Sequence, residues 1–262
     1  MLDRADPEIS LALPCFNERE NIASVVEHSI RALERLKRSW ELIVIDNHSN
    51  DGTPEQVLPF AERDARVRLI VHDANRFYSG SCRTALTESR GRYVAIMDSD
   101  GQFSADDLPK FIKAIDGGAN LVLGWRKIRH DPLARKIMSR FFNWMARQYI
   151  GFDLHDLNAG IRMFDRQFID AAEIKHTLNM ANPELYMRAK AARLVVTEVE
   201  ASHRAREKGQ SCHNVIKLVQ IFMKVRKYFR GLKAELVLAN ATLEGERERP
   251  TRAAGPVTSR AV

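Results

Sequence analysis

Short apolar segments alternate along this chain with longer segments whose apolar residues recur every three or four positions. This alternation constrains the fold more than any other feature, because the short runs predict strands and the helical period predicts helices between them. Strands that alternate with helices are typical of a mostly parallel sheet covered by helices on both faces. We therefore predict a single α/β domain. Its predicted strands are Ile9–Leu13, Leu42–Ile45, Val67–Val71, Tyr93–Met97, Leu121–Leu123, Ile161–Phe164 and Leu194–Val199.

Helices are predicted between these strands, and one of them begins at Pro54 with Thr53 as its N-cap. Residues 1–8 are polar and residues 241–262 contain little to bury, so we predict a flexible N-terminus and a disordered tail. The folded domain is expected at 9–212, followed by an amphipathic helical region at 213–240. The other predicted helices are Glu18–Lys37, Ser81–Ser89, Ala105–Ile115, Leu133–Ile150, Gln167–Lys175, Pro183–Ala192 and Asn214–Arg230.

The apolar runs, the N-terminal segment and the cysteines indicate the cellular compartment in which the chain folds. The longest apolar runs, such as Leu218–Met223, fall far short of the roughly 20 residues that a membrane-spanning helix needs. Four charged residues, Asp3, Arg4, Asp6 and Glu8, lie within the first ten positions, where a signal peptide would have an apolar core. The three cysteines show no C-x-x-C spacing, which predicts neither a disulfide framework nor a zinc site. We therefore expect a reducing, cytosolic setting.

The chain is basic, with 41 Lys and Arg residues against 34 Asp and Glu residues and a formal net charge of +7. Such a balance favours anionic partners, namely nucleic acid, phosphorylated metabolites or the anionic face of a bilayer. Charge alone does not choose among these partners, and a solvated basic surface without any partner explains it equally well. No nucleic-acid-binding fold accompanies the charge, so we expect no nucleic acid partner.

The segment Asp98-Ser99-Asp100-Gly101-Gln102 follows the apolar strand Tyr93–Met97 directly. In extended backbone, residues two apart point to the same side, so Asp98, Asp100 and Gln102 can present two carboxylates and an amide oxygen to one point. Hard oxygen ligands of this kind suit Mg²⁺ or Mn²⁺, which proteins often hold through one or two carboxylates and the phosphates of a substrate. The sequence therefore predicts a divalent metal site after this strand.

Two more polar segments follow predicted strands, at 14–18 and 46–53. Each has a simpler explanation: the first can start a helix with acidic residues at its positive end, and the second can form a tight turn and a cap. However, ligands of open α/β sheets bind outside the carboxyl ends of the strands, and all three polar segments are expected at that edge. We therefore interpret them together as one site.

Eight motifs in order make the chain resemble an inverting family 2 glycosyltransferase of GT-A fold, in the branch that acts on dolichyl or polyprenyl phosphate. The resemblance runs from Leu13 to about Ser211, which is most of the chain. The matching motifs are Pro14-x-Phe16-Asn17-Glu18, Asp46-Asn47-x-Ser49-x-Asp51-Gly52-Thr53, Asn75-Arg76, Asp98-x-Asp100-x-Gln102, Gly124-x-Arg126, Arg135-x-x-x-Ser139, Asp156-x-Asn158-x-Gly160 and Arg206-x-x-Gly209-x-Ser211.

The resemblance implies roles for particular residues. It assigns the base and ribose of a UDP- or GDP-sugar to Pro14, Phe16, Glu18, Ile45 and Asn47, and it adds Asp46 to the residues that bind this donor. It assigns the donor and a Mg²⁺ or Mn²⁺ ion to Asp98, Ser99, Asp100 and Gln102, with Asp98, Asp100 and Gln102 as the metal ligands. It assigns the donor diphosphate or the acceptor phosphate to Arg126, Arg135, Ser139 and Arg206.

Two departures from the family pattern bear on these roles. Asn47 stands where the family has the second acid of an Asp-Asp pair, so the base of the nucleotide is not carried over. Cys212 stands where a lysine is usual, so that phosphate contact is missing or comes from another residue.

The resemblance implies transfer of one sugar from a nucleotide-sugar to a polyprenyl or dolichyl phosphate at the cytosolic membrane face, with inversion at the anomeric carbon. Two alternatives remain open. One is a family 2 enzyme that uses a hydroxyl acceptor, and the other is an inactive module that binds a nucleotide or nucleic acid. The sequence leaves the sugar, the base and the oligomeric state open.

Asp156 distinguishes the two acceptor classes. A hydroxyl acceptor must lose its proton as it attacks and needs a positioned base, for which Asp156 is the one acid we nominate. A phosphate monoester is already largely ionised at neutral pH and needs arginines instead. The residues assigned to catalysis are therefore Asp156, Arg135 and Arg206, and we expect Arg135 to matter more than Asp156 if the acceptor is a lipid phosphate.

Two predicted helices have a composition that suits the headgroup layer of a membrane. Leu133–Ile150 interleaves basic residues with Phe141, Phe142 and Trp144, while Asn214–Arg230 has one apolar face and one lysine-rich face. Packing of Asn214–Arg230 onto the protein's own core is an equally good explanation. Without a spanning helix, contact with the inner face of the membrane is expected to be peripheral.

Overall fold

The computed structural model describes residues 6–130, 133–171, 181–205, 225–231 and 234. Within these residues, seven strands form one sheet, and each of the seven predicted strands is present with bounds that differ by at most two residues at either end. The strands are β1 (Ile9–Cys15), β2 (Trp40–Asp46), β3 (Val67–Val71), β4 (Tyr93–Met97), β5 (Leu121–Trp125), β6 (Ile161–Asp165) and β7 (Val196–Glu200). Their order in the sheet is β3-β2-β1-β4-β6-β5-β7.

The sheet is mixed but mostly parallel, as predicted. Strand β6 pairs in antiparallel fashion with both β4 and β5, and the other pairs are parallel. The apolar runs predict the strands but not the direction of β6, because a buried strand has the same composition in either direction.

Helices cover both faces of the sheet, which confirms the predicted α/β architecture. One face packs against α1, α2 and α4, with Ile22, Val57 and Phe111 in its core; the other packs against α3, α5 and α7, with Cys82 and Met145 in its core. The helices are α1 (Ile22–Arg35), α2 (Thr53–Arg63), α3 (Phe77–Glu88), α4 (Leu108–Asp116, after a 3₁₀ turn at Ala105–Asp107), α5 (Leu133–Ile150), α6 (Arg166–Ala171) and α7 (Ala181–Ala191).

The starts of α1, α2 and α3 differ from the prediction for local reasons. The N-cap of α2 is Gly52, with φ of 89°, and Thr53 is the first helical residue, so the predicted Thr53 N-cap is wrong. Helix α1 begins at Ile22 and not at Glu18, and a turn precedes it in which the Asn21 amide donates to the Glu18 carbonyl (2.9 Å). Helix α3 begins at Phe77, four residues early, where the Phe77 amide donates to the Asn75 side-chain oxygen.

The C-terminal part of the chain is described only in short stretches. Residues 225–231 are helical, and Val225 and Phe229 are buried in the core, where Phe229 contacts Phe142 of α5. This part of the predicted helix Asn214–Arg230 therefore packs inward. Residues 1–5, most of 206–240 and the predicted tail at 241–262 lie outside the described residues.

Strand register brings the polar loops together at the carboxyl edge of the sheet. Cys15 pairs with Asp46 at the ends of β1 and β2, and Ala12 pairs with Ile96 one residue before the end of β4. The loops after these strands are also hydrogen-bonded to each other. The Asn47 amide donates to the Cys15 carbonyl (2.9 Å), and the Ser99 hydroxyl donates to the Pro14 carbonyl (2.7 Å).

The opposite edge of the sheet carries a buried carboxylate that stabilises the fold. Glu41, in β2, is 1% exposed and accepts hydrogen bonds from Ser10, Arg68 and Arg90. Burial opposes ionisation of this carboxyl group, but the hydrogen bonds from Ser10 and Arg90 outweigh it and hold the pKa of Glu41 below its ordinary value. Glu41 therefore stabilises the fold in its ionised form.

We expect Glu41→Gln to lower the free energy of unfolding at pH 7 by about 2 kcal/mol, since both arginine partners are partly exposed. The folded-state pKa lies below the unfolded value of about 4.3, so this contribution is complete above about pH 4.3 and is lost as the pH falls through the folded-state pKa. Urea unfolding at pH 7 and pH 3 measures the difference. An equal effect at both pH values would contradict the assignment.

Candidate active site

The two acids of the D-x-D segment lie close enough to influence each other. The Asp98 carboxylate accepts a hydrogen bond from the Tyr78 hydroxyl (2.8 Å between oxygens), and the Asp98 amide donates to the Gly160 carbonyl. Burial, reinforced by the negative charge of Asp100, raises the pKa of Asp98 to about 6. Two carboxylates that repel each other at a partly buried edge favour a bound cation, because a cation offsets both charges.

Gln102, the third predicted metal ligand, links the D-x-D loop to the chain after β7. Its side-chain nitrogen donates to the Arg204 carbonyl (3.2 Å), and the Arg204 amide donates to the Gln102 carbonyl (2.8 Å). Among the described residues, no group of three or more His, Cys, Asp or Glu side chains is placed to hold a metal ion. Two carboxylates and one amide oxygen fit a Mg²⁺ or Mn²⁺ ion that takes its remaining ligands from a diphosphate.

Arg126 and Asp156, predicted to have separate roles, form one ion pair. Arg126 Nε donates to Asp156 Oδ2 (2.7 Å), and Arg126 Nη2 donates to Asp156 Oδ1 (2.9 Å), with side chains only 10% and 4% exposed. The guanidinium therefore occupies both carboxylate oxygens in a bidentate arrangement. This geometry fixes the direction of the Arg126 guanidinium.

The phosphate-binding residues predicted on α5 lie on one side of that helix. Arg135 and Ser139 are one helical turn apart and both are half-buried. The Ser139 hydroxyl accepts a hydrogen bond from Arg129 Nη1 (2.6 Å), a residue that the sequence motifs did not include. Arg206 lies outside the described residues.

Asn47, at the position of the usual second acid, is buried and joins two loops. Its side-chain oxygen accepts from the Arg76 amide (2.8 Å) and lies 3.1 Å from His72 Nδ1, and its side-chain nitrogen donates to Asn75 (2.9 Å). Burial, reinforced by the charge of Arg76, holds the pKa of His72 below its ordinary value. An aspartate at position 47 has no hydrogen to donate to Asn75, so the amide explains this departure structurally.

Other residues predicted to bind the nucleotide are divided between the core and the surface. Ile45 and Asp46 are fully buried, and Asp46 accepts a hydrogen bond from the Ser49 amide (2.9 Å). Phe16 and Glu18 are half-buried at the edge. Beside them lies a cavity of about 320 Å³, which is lined by Asn17, Glu18, Arg19, Glu20, Asn21 and Asp51.

Sequence reasoning missed three residues beside the predicted site. Tyr78 and Arg162 contact Asp98 directly or through one another, and Phe77 is an exposed aromatic with a positive φ of 57°. Bulky residues rarely adopt this conformation, which costs about 1–2 kcal/mol. Arg162 carried a signal, since it is a charge in an otherwise apolar strand; nothing in the sequence marked Tyr78.

A mostly parallel sheet that brings a D-x-D segment to the ends of its central strands defines the GT-A class of glycosyltransferase folds. The profile of glycosyl transferase family 2 matches residues 10–172, and the chain belongs to this family. The family and the transferase class expected from the motifs are thereby confirmed.

Two bacterial glycosyltransferases are similar to the chain in sequence. Dodecaprenyl-phosphate galacturonate synthase from Rhizobium johnstonii is 28% identical over 223 residues, which cover 82% of this chain and 64% of that protein. Undecaprenyl-phosphate 4-deoxy-4-formamido-L-arabinose transferase from Serratia proteamaculans is 26% identical over 84% of this chain and 68% of its own length. The chain thus spans slightly less than two thirds of the first of these relatives.

A solved structure supports the fold. Glucosyl-3-phosphoglycerate synthase from Mycobacterium tuberculosis, in complex with Mn²⁺, UDP-glucose and phosphoglyceric acid, superposes with a TM-score of 0.63. The match covers 86% of this chain and 80% of that one, at 17% identity. In the described part of this chain, every helix is too short or too polar to cross a membrane.

Proposed function

We propose that this chain transfers a sugar from a nucleotide-sugar to a polyprenyl phosphate, with inversion at the anomeric carbon. The observation that carries the proposal is the meeting of two mutually repelling carboxylates, Asp98 and Asp100, with the Arg126–Asp156 pair at one edge of the sheet. A nucleoside diphosphate leaves only when its developing charge is neutralised, and cations at this edge supply that neutralisation. The two relatives named for polyprenyl-phosphate acceptors support the acceptor class.

A divalent ion belongs to this proposal. Asp98, Asp100 and Gln102 are the residues that would hold it, and the solved neighbour whose complex contains Mn²⁺ and UDP-glucose supports a divalent ion of this kind. When bound, such an ion neutralises charge on a diphosphate. The chain's own residues bind and orient the donor, with Arg126 directed by Asp156.

The ion pair between Asp156 and Arg126 favours a phosphate acceptor over a hydroxyl acceptor. Both carboxylate oxygens accept hydrogen bonds from Arg126, so a proton taken from a hydroxyl would neutralise the charge that pairs with this buried guanidinium. A phosphate acceptor needs no such base and instead needs cations, which Arg129, hydrogen-bonded to Ser139, and Arg135, one helical turn before Ser139, can provide. We propose that Arg129, Arg135 and Ser139 form the acceptor phosphate site.

Transfer itself tests the proposal. The purified chain is incubated with Mn²⁺ and a panel of UDP- and GDP-sugars, together with undecaprenyl phosphate, dolichyl phosphate or 3-phosphoglycerate. We expect a glycosylated lipid phosphate by mass spectrometry and no product from 3-phosphoglycerate. Product from 3-phosphoglycerate alone, which offers a hydroxyl group as acceptor, would contradict the lipid phosphate assignment. Donor binding without any turnover would favour a binding module.

Membrane contact is the second part of the proposal, and helix α5 supports it. One stripe of this helix carries exposed apolar side chains, with Leu133 72% and Trp144 51% exposed in the described part of the chain. Lys136 and Arg140 lie in the same stretch of helix. Apolar side chains beside cations suit the headgroup layer of an anionic bilayer. The other members of the stripe are Ile137 and Phe141.

We expect the double variant Ile137→Glu, Trp144→Glu to reduce cosedimentation with vesicles that contain phosphatidylglycerol by at least about tenfold, because each buried apolar side chain contributes about 1.5–3 kcal/mol. Binding of the unaltered protein should weaken as salt rises. The matched control is Leu58→Glu, an exposed apolar residue on α2. Unchanged vesicle binding by the double variant would show that this stripe does not contact lipid.

A further inference from the structure

Arg162 is a buried cation at the centre of the sheet. It is 0% exposed, and its neighbours across the sheet are Ile96 in β4 and Leu123 in β5, which are both apolar and buried. Burial of a guanidinium costs several kcal/mol unless hydrogen bonds and an opposite charge compensate it. An arginine at this position therefore needs a structural or functional reason.

Among the residues that the structure describes, Arg162 forms no salt bridge with an acid. Its Nη2 donates to the Tyr78 hydroxyl, and its guanidinium lies 5.3 Å from the centre of the Tyr78 ring. Within the described residues, Nε and Nη1 have no hydrogen-bond partner. The arginine is therefore held chiefly by Tyr78, on helix α3.

The hydrogen bonds through Tyr78 have one direction. An arginine can only donate, so the Tyr78 oxygen accepts from Arg162 and its own hydrogen points elsewhere. That hydrogen is donated to Asp98 Oδ1, at 2.8 Å between oxygens. Arg162, Tyr78 and Asp98 thus form a directed chain that ends at the first acid of the D-x-D segment.

Asp98 is confined on its other side as well. A Cβ atom on Gly160 would lie 2.1 Å from Asp98 Oδ2, so only glycine at position 160 leaves room for this carboxylate. The Asp98 amide also donates to the Gly160 carbonyl (2.7 Å). The carboxylate is held between Tyr78 and Gly160 in one orientation.

We propose that Arg162 is a positioning residue that acts through Tyr78 to fix the orientation of the Asp98 carboxylate toward the metal and the donor diphosphate. This inference rests on the proposed function, because it assumes that Asp98 faces the donor. Preorganised charge is effective since it does not have to reorient when a ligand binds. The guanidinium supplies the fixed donor that sets the direction of the Tyr78 hydroxyl.

The test is Tyr78→Phe, which removes the hydroxyl and keeps the ring. We expect it to weaken binding of UDP or GDP in the presence of Mn²⁺, measured by calorimetry, by about tenfold, the usual effect of one hydrogen bond to a charged group. The donor KM should rise by a similar factor, while the acceptor KM stays unchanged. Arg162→Lys, which keeps a buried donor, should bind the nucleotide better than Arg162→Met.

The matched control is Tyr93→Phe. Tyr93 also donates its hydroxyl to a carboxylate, that of Asp116, beside the arginines Arg38 and Arg92, but at the opposite edge of the sheet. Both tyrosine variants should stay folded, with the larger loss of thermal stability in Tyr78→Phe because it leaves the buried Arg162 unsatisfied, and only Tyr78→Phe should lose nucleotide affinity. Equal affinity in Tyr78→Phe and the unaltered protein would overturn this inference alone. Absence of nucleotide binding by the unaltered protein would overturn the proposed function as well.

Discussion

Asp100→Ala is expected to lower sugar transfer by about 10³-fold or more while the protein stays folded. The expected loss is electrostatic. Burial and the negative charge of Asp100 raise the pKa of Asp98, and a cation that binds both carboxylates keeps only one of them in the variant. A loss of about 4 kcal/mol corresponds to this factor. The variant should also lose metal-dependent binding of the nucleotide, measured by calorimetry with and without Mn²⁺.

A variant of a second acid nearby, Asp106, is the control that distinguishes loss of a metal ligand from loss of a surface charge. Asp106 lies six residues further on, is partly exposed, and pairs with Arg35 and His28 on α1. Asp106→Asn should therefore leave transfer and nucleotide binding within about twofold of the unaltered protein. Full activity of either the unaltered protein in EDTA or the Asp100→Ala variant would exclude the metal assignment.

Arg126→Gln and Asp156→Asn are each expected to lower the free energy of unfolding by about 3–5 kcal/mol, since either change leaves a buried charge without its partner. The double variant should lose less than the sum of the two. Urea unfolding of the unaltered protein, the two single variants and the double variant gives the coupling energy between the Arg126 and Asp156 side chains. Additive losses would show that the pair contributes no coupling to stability.

The same four proteins distinguish a base from an orienting residue. If Asp156 acts only by directing Arg126, Asp156→Asn should have no further effect on kcat/KM once Arg126 is already replaced. A general base contributes about 10²–10⁴-fold, and that factor would persist in the Arg126→Gln background. Persistence of the factor would indicate a hydroxyl acceptor and contradict the polyprenyl phosphate proposal.

Local patterns in the sequence predicted the strands and the loops but not the contacts between distant side chains. The apolar run at Tyr93–Met97 and the acids that follow it are adjacent in sequence, so β4 and the D-x-D segment could be placed together. The pairing of Arg126 with Asp156 joins residues 30 positions apart, one after β5 and the other before β6. They meet because these two strands are antiparallel, a direction that the composition does not encode. For that reason the sequence suggested two roles where the structure has one ion pair.

The start of α3 also depends on a contact between residues that are distant in the sequence. Phe77 begins the helix with a positive φ of 57°, at a position where its amide is bound by Asn75 and the preceding amide is bound by Asn47. The helical period alone placed the start at Ser81, because it carries no information about a side chain from the loop after β2. Tyr78, one residue after Phe77, was missed for the same reason.

The hydrogen bonds that join the loops at the carboxyl edge have an entropic consequence. Asn47 is tied to Cys15, Ser99 to Pro14 and Asp98 to Gly160, so each loop is ordered by its neighbours. Ordering one residue of flexible backbone costs about 1–2 kcal/mol of conformational entropy, and these loops are already ordered in the folded protein. A donor that binds at this edge therefore loses little affinity to the ordering of these loops, and more of its contact energy is available to distinguish one nucleotide-sugar from another.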